Sequence, residues 1–319
     1  MYSLLSPLVS IIALCYNHAR FVEDALQSVV EQTYPHIELL IVDDASTDES
    51  VAHIRNFLGS CPLPARFFPL SENRGNCSAF NHAFAHSNGA FIIDLATDDR
   101  LLPTRVAEQV AAFAEREPHY GVVFSDVELL DEAGHTLGTY YAKPENVPSG
   151  DMYQHLIAAG GLISAPSMMI RREVLEALGG YDPRLAYEDY DFWVRSSRNY
   201  YYAFLNRVLT QKRVVRDSLT HQFYQRRSAL LESTLRVCRK AQQLNQSPAE
   251  DRALARSVRY HLRQSVFTGQ FSLAKRFAAL RNELVRPCYT DRLWDLLWQG
   301  RIPLFGLYRL YQAIFIRIK

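Results

Sequence analysis

Two acidic stretches, Val42-Asp43-Asp44-Ala45-Ser46-Thr47-Asp48 and Thr97-Asp98-Asp99, each follow an apolar run. These runs, Ile37-Glu38-Leu39-Leu40-Ile41 and Phe91-Ile92-Ile93-Asp94-Leu95, are typical of buried strands that deliver their carboxyl ends to a sheet edge. In open α/β sheets that edge binds ligands. Carboxylates held side by side repel, so they protonate or share a cation. The spacing therefore predicts a nucleotide site with a divalent metal.

Composition and charge narrow the class of protein. The chain has 319 residues, enough for one large α/β domain and a smaller region. Hydrophobic residues make up 48% and charged residues 22%, which is ordinary for a globular protein. The 35 Lys and Arg residues nearly balance the 34 Asp and Glu residues. A general nucleic-acid binder normally has a basic excess, so we expect no nucleic-acid partner.

The cysteines and the N-terminal residues indicate the cellular compartment. Five scattered cysteines lack CxxC spacing, which disfavours a zinc site or a disulfide framework and favours a reducing compartment. Residues 1–16 lack a basic segment and a cleavage site, so we interpret them as the first strand and not as a signal peptide. No apolar run has the length of a membrane-spanning helix. We therefore expect a cytoplasmic protein, with a peripheral position on the cytoplasmic membrane face left open.

Strand and helix patterns alternate in the first half. Strands are predicted at 8–14, 37–42, 66–68, 90–95 and 121–126, with helices between them. Such alternation predicts an α/β fold with right-handed crossovers and a mainly parallel sheet flanked by helices. After residue 220 long amphipathic helical stretches dominate. We therefore predict a catalytic domain at 1–220 and a helical C-terminal region at 221–319.

Several motifs, in order along the chain, resemble those of family 2 glycosyltransferases. The segment 9–18 resembles that family's V-S-I-I-x-x-Y-N pattern, and 42–48 its V-D-D-G-S-T-D motif. Further matches are S-V-x-x-Q-T-Y-P at 28–35, N-x-G at 73–75, D-x-D-D at 96–99, F-D at 181–182 and E-D-x-D-x-W-x-R at 188–195. The resemblance covers roughly residues 7–220. It implies a GT-A (Rossmann-like) fold, a nucleotide-sugar donor, Mn²⁺ or Mg²⁺, and inversion at the anomeric carbon.

The resemblance assigns donor binding to residues at the strand ends. Asp43 or Asp44 would accept a hydrogen bond from the imide N–H of a uracil-like base; the alternative is that Asp44 and its neighbours cap the next helix. Tyr16 would stack on the base, or else belong to the core. Arg74 would reach the base or the phosphates, or else be a solvated surface residue.

Asp98 and Asp99 are the predicted metal ligands. A hard cation takes oxygen ligands and would bridge one carboxylate and the diphosphate, while the other carboxylate would hold the ribose hydroxyls. The alternative is a pair of solvated loop acids. Ala96 occupies the family's first acidic position, so ligation falls on Asp98 and Asp99. Val215 occupies the position of the family's Y-R-x-H histidine, which water, phosphate oxygens or His221 would have to replace.

A third acidic pair, Glu188-Asp189, is predicted to act in proton transfer. An inverting transferase needs a carboxylate that removes the proton of the acceptor hydroxyl. The motif match gives this role to Asp189 and the orientation of donor or acceptor hydroxyls to Glu188. Asp191 is the second candidate for the base, although an ion pair with Arg195 at i, i+4 would make it structural.

The C-terminal stretch bears on the acceptor. Residues 291–319 combine Trp, Tyr and Leu with basic residues, and no acid follows Asp295. This composition is typical of an interfacial amphipathic helix, or of a helix docked on the catalytic domain or on a second subunit in a homodimer. The predicted reaction transfers a sugar from a nucleotide-diphosphate sugar, with UDP favoured, to a saccharide or lipid-linked saccharide. A nucleotidyltransferase and a catalytically silent nucleotide-sugar-binding protein remain as alternatives.

Overall fold

The computed structural model describes residues 6–159, 161–215, 230–302, 304–306 and 308. The described residues form two compact units. The first contains residues up to 152 together with 163–192 and 196–215, and the second contains 153–162, 193–195 and the residues after 215. The division into a catalytic domain at 1–220 and a helical region at 221–319 stays a prediction, because its boundary lies outside the described residues.

A mixed sheet forms the centre of the first unit. Its nine strands, in the described part of the chain, are β1 Val9–Cys15, β2 Ile37–Asp43, β3 Ala65–Pro69, β4 Phe91–Ala96, β5 Arg100–Leu101, β6 Tyr120–Leu130, β7 Thr136–Thr139, β8 Met169–Arg171 and β9 Tyr201–Arg213. The order is β3-β2-β1-β4-β8-β6-β9-β5, with β7 paired to β6. Strands β1 to β4 pair in parallel, as do β6 and β9, whereas β8 is antiparallel to β4 and to β6.

Helices cover the sheet because both of its faces are apolar. The helices that begin in the first unit are α1 Val22–Val30, α2 Ser50–Leu58, α3 Asn76–Phe84, α4 Arg105–Ala114, α6 Arg172–Leu178 and α7 Asp189–Ser196. Alternate residues of a strand face opposite sides of the sheet. Ile11, Leu39 and Ile93 form one buried cluster with Leu26 of α1 and Val106 of α4. Helix α3 contacts β1 and β2, and its Phe80 is fully buried.

The five predicted strands are present, but the prediction missed β5, β7 and β9. Strand β9 runs for 13 residues and pairs with β6 and β5. The middle of β9 contains two exposed polar residues, Asn206 and Arg207. They interrupt the apolar pattern by which a strand is recognised in the sequence. Strand β6 continues past the predicted end at residue 126 to Leu130. These differences matter because the end of β9 contributes to the candidate site.

The second unit is helical. Its elements are α5 Tyr153–Ala158, α8 Leu230–Leu244, α9 Pro248–Phe267, α10 Phe271–Leu284 and α11 Tyr289–Gln299. The side chain of Arg281 on α10 is fully buried and forms an ion pair with Asp295 (Nη2–Oδ2, 2.8 Å). Arg259 on α9 forms another with Asp291 (Nη2–Oδ2, 2.8 Å), so buried charges join three helices. Within the described residues, no helix combines the length and apolarity needed to cross a membrane.

Candidate functional site

The carboxyl ends of three adjacent parallel strands bring most of the predicted donor residues to one edge of the sheet. In register, Cys15 of β1 lies opposite Asp43 of β2, and Leu14 opposite Ala96 of β4. Tyr16, Asp44 and Asp98 therefore follow neighbouring strands at the same edge. The Tyr16 side chain is 45% exposed, which excludes it from the core and leaves its ring accessible.

Asp43 organises the loop that follows β2. Its Oδ1 accepts a hydrogen bond from the Ser46 N–H (2.9 Å), and its Oδ2 accepts one from the Ser46 hydroxyl (2.6 Å). Ala45, where the family motif has glycine, has a φ of +62°. This left-handed conformation is unfavourable for a residue with a Cβ atom. Asp43 is thus a buried residue whose carboxylate fixes a strained turn.

Asp44 joins this turn to a second loop. Its Oδ1 accepts a hydrogen bond from the backbone N–H of Arg74 (2.8 Å), and its Oδ2 accepts one from that of Gly75 (2.9 Å). Gly75 has a φ of +80°, a conformation that favours glycine. The Arg74 side chain is half exposed and lies beside Glu72 (Nε–Oε1, 3.2 Å). Asp44 therefore holds the Arg74 loop at the carboxyl-terminal edge of the parallel strands.

The suggested capping of helix α2 by Asp44, Ser46 or Thr47 is wrong. The N-cap residue is Glu49, which makes no side-chain cap hydrogen bond, and the preceding Asp48 accepts hydrogen bonds at its Oδ1 from the Ser50 N–H (3.0 Å) and the Ser50 hydroxyl (2.5 Å). Its Oδ2 also accepts one from the Ala19 N–H (3.0 Å), which ties the loop after β1 to the start of α2. The Asp43 and Asp44 carboxylates bind the loops that follow β2 and β3.

Asp98 and Asp99 differ sharply in environment. Asp99 is 3% exposed, and its Oδ1 accepts a hydrogen bond from the Arg213 N–H (2.9 Å) at the end of β9. Burial, followed by the charge of Asp98, raises the pKa of Asp99 well above its usual range. The half-buried Asp98 carboxylate has no hydrogen-bond or ion-pair partner among the described residues. Asp99 is therefore tied into the fold, whereas Asp98 is available to a ligand.

The carboxylates near Asp98 limit the number of protein ligands available to a metal ion. The described residues contain no group of three His, Cys, Asp or Glu side chains that would hold a metal ion by themselves. A hard cation that keeps phosphate and water oxygens needs only one or two protein carboxylates. Asp98 fits such a cation. Val215 lies within the described residues and His221 does not.

Two arginines near Asp99 are already engaged. Arg105 is fully buried and donates hydrogen bonds to the Thr210 hydroxyl (2.9 Å) and to the Met168 carbonyl (3.0 Å). Burial lowers its pKa to about 9, against the opposing effect of Asp99. Arg213 donates to the Asp98 backbone carbonyl (Nε–O, 3.0 Å) and forms an ion pair with Asp24. The Arg213 side chain is thus part of the scaffold.

The predicted proton-transfer pair begins helix α7. Asn76 Nδ2 donates a hydrogen bond to Glu188 Oε2 (2.6 Å), which anchors Glu188 to the start of α3. Burial raises the pKa of Glu188, and burial together with the charge of Glu188 raises the pKa of Asp189 to about 7. Asp191 is only 1% exposed, whereas Asp189 is half-buried. Access and pKa therefore favour Asp189 over Asp191 as a general base.

Two charged residues at this site were missed by the sequence prediction. Asp94 lies within β4, and burial, followed by the charge of Glu188, raises its pKa well above the usual range, while the Tyr181 hydroxyl lowers it. Lys212 lies on β9, and its positive charge lowers the pKa of three carboxyls that burial raises: Asp99, Glu188 and Asp189. Asp94 could have been found from the sequence, because it is an acidic residue inside an apolar strand. Lys212 could not, because the prediction missed strand β9, on which it lies.

Comparison with known proteins identifies the family. The model of the family described as "Glycosyl transferase family 2" matches residues 10–179, more than half of the chain. The chain belongs to glycosyl transferase family 2.

Curated relatives agree with this membership. An uncharacterized glycosyltransferase of Rickettsia typhi is 29% identical over 66% of the chain and 64% of its own length. One of Rickettsia felis is 31% identical over 60% of the chain but only 32% of its own length. The putative teichuronic acid biosynthesis glycosyltransferase TuaG of Bacillus subtilis is 27% identical over 67% of the chain and 82% of its own length. The chain thus spans a third to just under two thirds of these Rickettsia relatives.

Solved structures confirm the GT-A fold. Staphylococcus aureus TarS 1-349 in complex with UDP-GlcNAc aligns with a TM-score of 0.68 at 18% identity, over 95% of the chain and 92% of TarS 1-349. The Pyrobaculum calidifontis mannosyltransferase PcManGT, in complex with GDP-Man and Mn²⁺, aligns with a TM-score of 0.60 at 19% identity, over 96% of the chain and 88% of PcManGT. At 18% and 19% sequence identity, the similarity to these two structures shows the fold alone.

Proposed function

We propose that the protein is an inverting glycosyltransferase that moves a sugar from a nucleotide-diphosphate sugar to a hydroxyl of a saccharide or lipid-linked saccharide. The proposal rests mainly on Asp189, a half-buried carboxyl whose pKa burial and Glu188 raise to about 7. A general base works best when its pKa lies near the working pH. Asn76, which donates a hydrogen bond to Glu188, directly follows Gly75, whose N–H donates to Asp44, and this link supports a base close to the acidic donor edge.

The donor edge supports a nucleotide, for which we favour UDP. The exposed Tyr16 ring offers a stacking surface for the base. Asp43 and Asp44 accept hydrogen bonds from their own loops, and each carboxylate retains further acceptor positions for an imide N–H. Arg74, held at this edge by Asp44, offers a guanidinium to the phosphates. TarS 1-349, which has a similar fold, is in complex with UDP-GlcNAc.

Mn²⁺ or Mg²⁺ is the proposed cofactor, with Asp98 as its ligand; the buried Asp99 would position the loop. When bound, such a cation neutralises charge on the diphosphate. We expect Asp98→Ala to abolish the effect of Mn²⁺ on nucleotide affinity in calorimetry while the thermal midpoint stays unchanged. Asp99→Ala should lower the midpoint, because it leaves the Arg213 N–H without its hydrogen-bond acceptor. Equal Mn²⁺ dependence in wild type and Asp98→Ala would contradict this ligand assignment.

In the proposed mechanism, Asp189 removes the proton of the acceptor hydroxyl as its oxygen attacks the anomeric carbon from the face opposite the diphosphate. The bond between the anomeric carbon and the diphosphate oxygen breaks, and its electron pair leaves with the nucleoside diphosphate. Glu188, fixed by Asn76, orients a sugar hydroxyl. Since Asp189 must be ionised to act, the rate should rise with pH through about 7.

The test of this assignment is the variant Asp189→Asn. It should lose sugar transfer while nucleotide binding, measured by calorimetry, stays within about twofold of wild type, because Asn keeps the shape of the side chain. The exposed Asp131→Asn should retain both activities and serves as the control. Retained turnover by Asp189→Asn would overturn its role as the base.

The proposed partners include a membrane surface for residues 291–319. On α11 the side chains of Tyr289, Leu293 and Leu296 are 87%, 53% and 65% exposed. An exposed apolar helix face with neighbouring basic residues suits the interface of an anionic bilayer. Flotation with vesicles containing phosphatidylglycerol should recover wild type, and Leu293→Glu with Leu296→Glu should reduce recovery. Unchanged flotation together with a dimer in sedimentation would favour the homodimer instead.

A second candidate is a catalytically silent nucleotide-sugar-binding protein. Ala96 and Val215 replace the acid and the histidine that the family pattern has at these positions, and this departure favours reduced turnover. Family membership argues against the nucleotidyltransferase alternative. Binding of a nucleotide sugar without its turnover would support the silent protein.

A further inference from the structure

Lys212 is the next-to-last residue of strand β9 and directly precedes Arg213. The next residue along β9, Arg213, donates its backbone N–H to Asp99 Oδ1 (2.9 Å), so β9 reaches the donor edge at this point. Side chains alternate along a strand, and the Arg213 side chain turns to Asp24 and to the Phe21 ring, 4.8 Å from its centroid. Lys212 therefore points to the opposite side. There its charge acts on Asp99 and also on the Glu188–Asp189 pair.

The two neighbouring arginine side chains are already hydrogen-bonded within the fold. Arg213 is bonded to Asp98 and Asp24, and the buried Arg105 is bonded to Thr210 and Met168. In contrast, no described residue forms a hydrogen bond or an ion pair with the half-buried Lys212 ammonium. A partly desolvated ammonium without a close partner is unfavourable unless an anion binds to it.

A nucleotide-sugar donor brings such an anion. Its diphosphate would enter an edge that already holds Asp98 and Asp99, and negative charge builds up on the departing phosphate when the glycosidic bond breaks. Ala96 and Val215 leave this chain with fewer protein ligands for a metal than the family pattern has. A fixed positive charge near Asp99 would compensate for part of this loss.

We propose that the Lys212 ammonium binds the diphosphate of the donor and stabilises the departing nucleoside diphosphate by a charge-assisted hydrogen bond. The inference rests on the proposed function. The lysine donates the hydrogen bond without losing its proton, and the electron pair of the broken glycosidic bond stays on the phosphate oxygen. The alternative role is structural, in which Lys212 only balances the three acids.

Calorimetry on the full chain with UDP and UMP, and with GDP and GMP, distinguishes these roles. Lys212→Met should weaken diphosphate binding about 10- to 100-fold, the range for a hydrogen bond between charged groups, and monophosphate binding much less. Lys212→Arg should restore most of the diphosphate affinity. Lys275→Met, an exposed lysine on α10, is the matched control and should leave both affinities unchanged.

Two results would overturn the inference. One is equal loss of diphosphate and monophosphate affinity in Lys212→Met, which indicates a structural role. The other is unchanged diphosphate affinity while the wild type still turns over a donor, in which case the proposed function survives and this inference fails. If the wild type binds none of the four nucleotides and releases no diphosphate from UDP-, GDP- or dTDP-sugars, the proposed function fails and this inference with it. Thermal melts of each variant show whether the fold is retained.

Discussion

Asp189→Asn should stabilise the protein above neutral pH even though it removes the proposed base. Burial and the charge of Glu188 raise the pKa of Asp189 to about 7 in the folded protein, from an ordinary value of 3.8. Between these two pH values the folded state holds a proton that the unfolded chain has released. Stability therefore falls as the pH rises through this window, and the full cost is present above pH 7.

The size of the effect follows from the shift. About three pKa units at about 1.36 kcal/mol per unit give a cost of at most about 4 kcal/mol. Asparagine is uncharged at every pH and avoids this cost. The difference in free energy of unfolding between Asp189→Asn and wild type should thus be small near pH 4 and approach that limit by about pH 8.

Urea unfolding of both proteins at several pH values between about 5 and 8.5 measures this difference. Asp131→Asn is the control, because the pKa of Asp131 is shifted in the opposite direction. Hydrogen bonds from His135 lower this pKa in the exposed β6–β7 turn, so replacing Asp131 should not stabilise the protein. An Asp189→Asn variant no more stable than wild type at pH 8 would show that the carboxyl is not desolvated. The reasoning that makes Asp189 a base poised near neutral pH would then be refuted.

Two further predictions concern stability, each measured by denaturant unfolding. Ala45→Gly should gain about 1 kcal/mol, because Ala45 has a φ of +62° and glycine adopts this conformation without steric cost; a loss would contradict the strained turn. Arg281→Met should lose about 3–5 kcal/mol, since it leaves Asp295 and Asp291 without their buried partner. The exposed Arg276→Met, whose partner is Glu232, should lose less than about 1 kcal/mol, and equal losses would contradict the importance of burial.

The acidic edge of the sheet was predictable from the sequence because its strands are short apolar runs that end in acids. Parallel pairing of β1 with β2 and β4 brings those ends together, as the alternation of strands and helices predicts. The insertion of β8 between β4 and β6 was not predictable, since three residues contain no pattern that specifies antiparallel pairing with two partners. Strand β9 was missed because polar residues interrupt it.

The sequence also could not predict that Asp98 and Asp99 have different environments. Their neighbours in sequence are alike, and the distinction arises from Arg213, which is 114 residues away and donates its N–H to Asp99 only. The elevated pKa of Asp189 likewise depends on burial and on Glu188 within the folded chain. Motif order predicts which acids form the candidate site, while long-range packing determines their individual environments.

The most direct test of the proposed activity is release of nucleoside diphosphate from a panel of UDP-, GDP- and dTDP-sugars with Mn²⁺, compared for wild type and Asp189→Asn. We expect wild type to release the diphosphate from one donor class, with UDP-sugars favoured, faster when a saccharide acceptor is present. Asp189→Asn should not show the acceptor-dependent release. Wild type that releases no diphosphate from any donor would contradict the glycosyltransferase activity, and equal acceptor-dependent release by both proteins would contradict the role of Asp189.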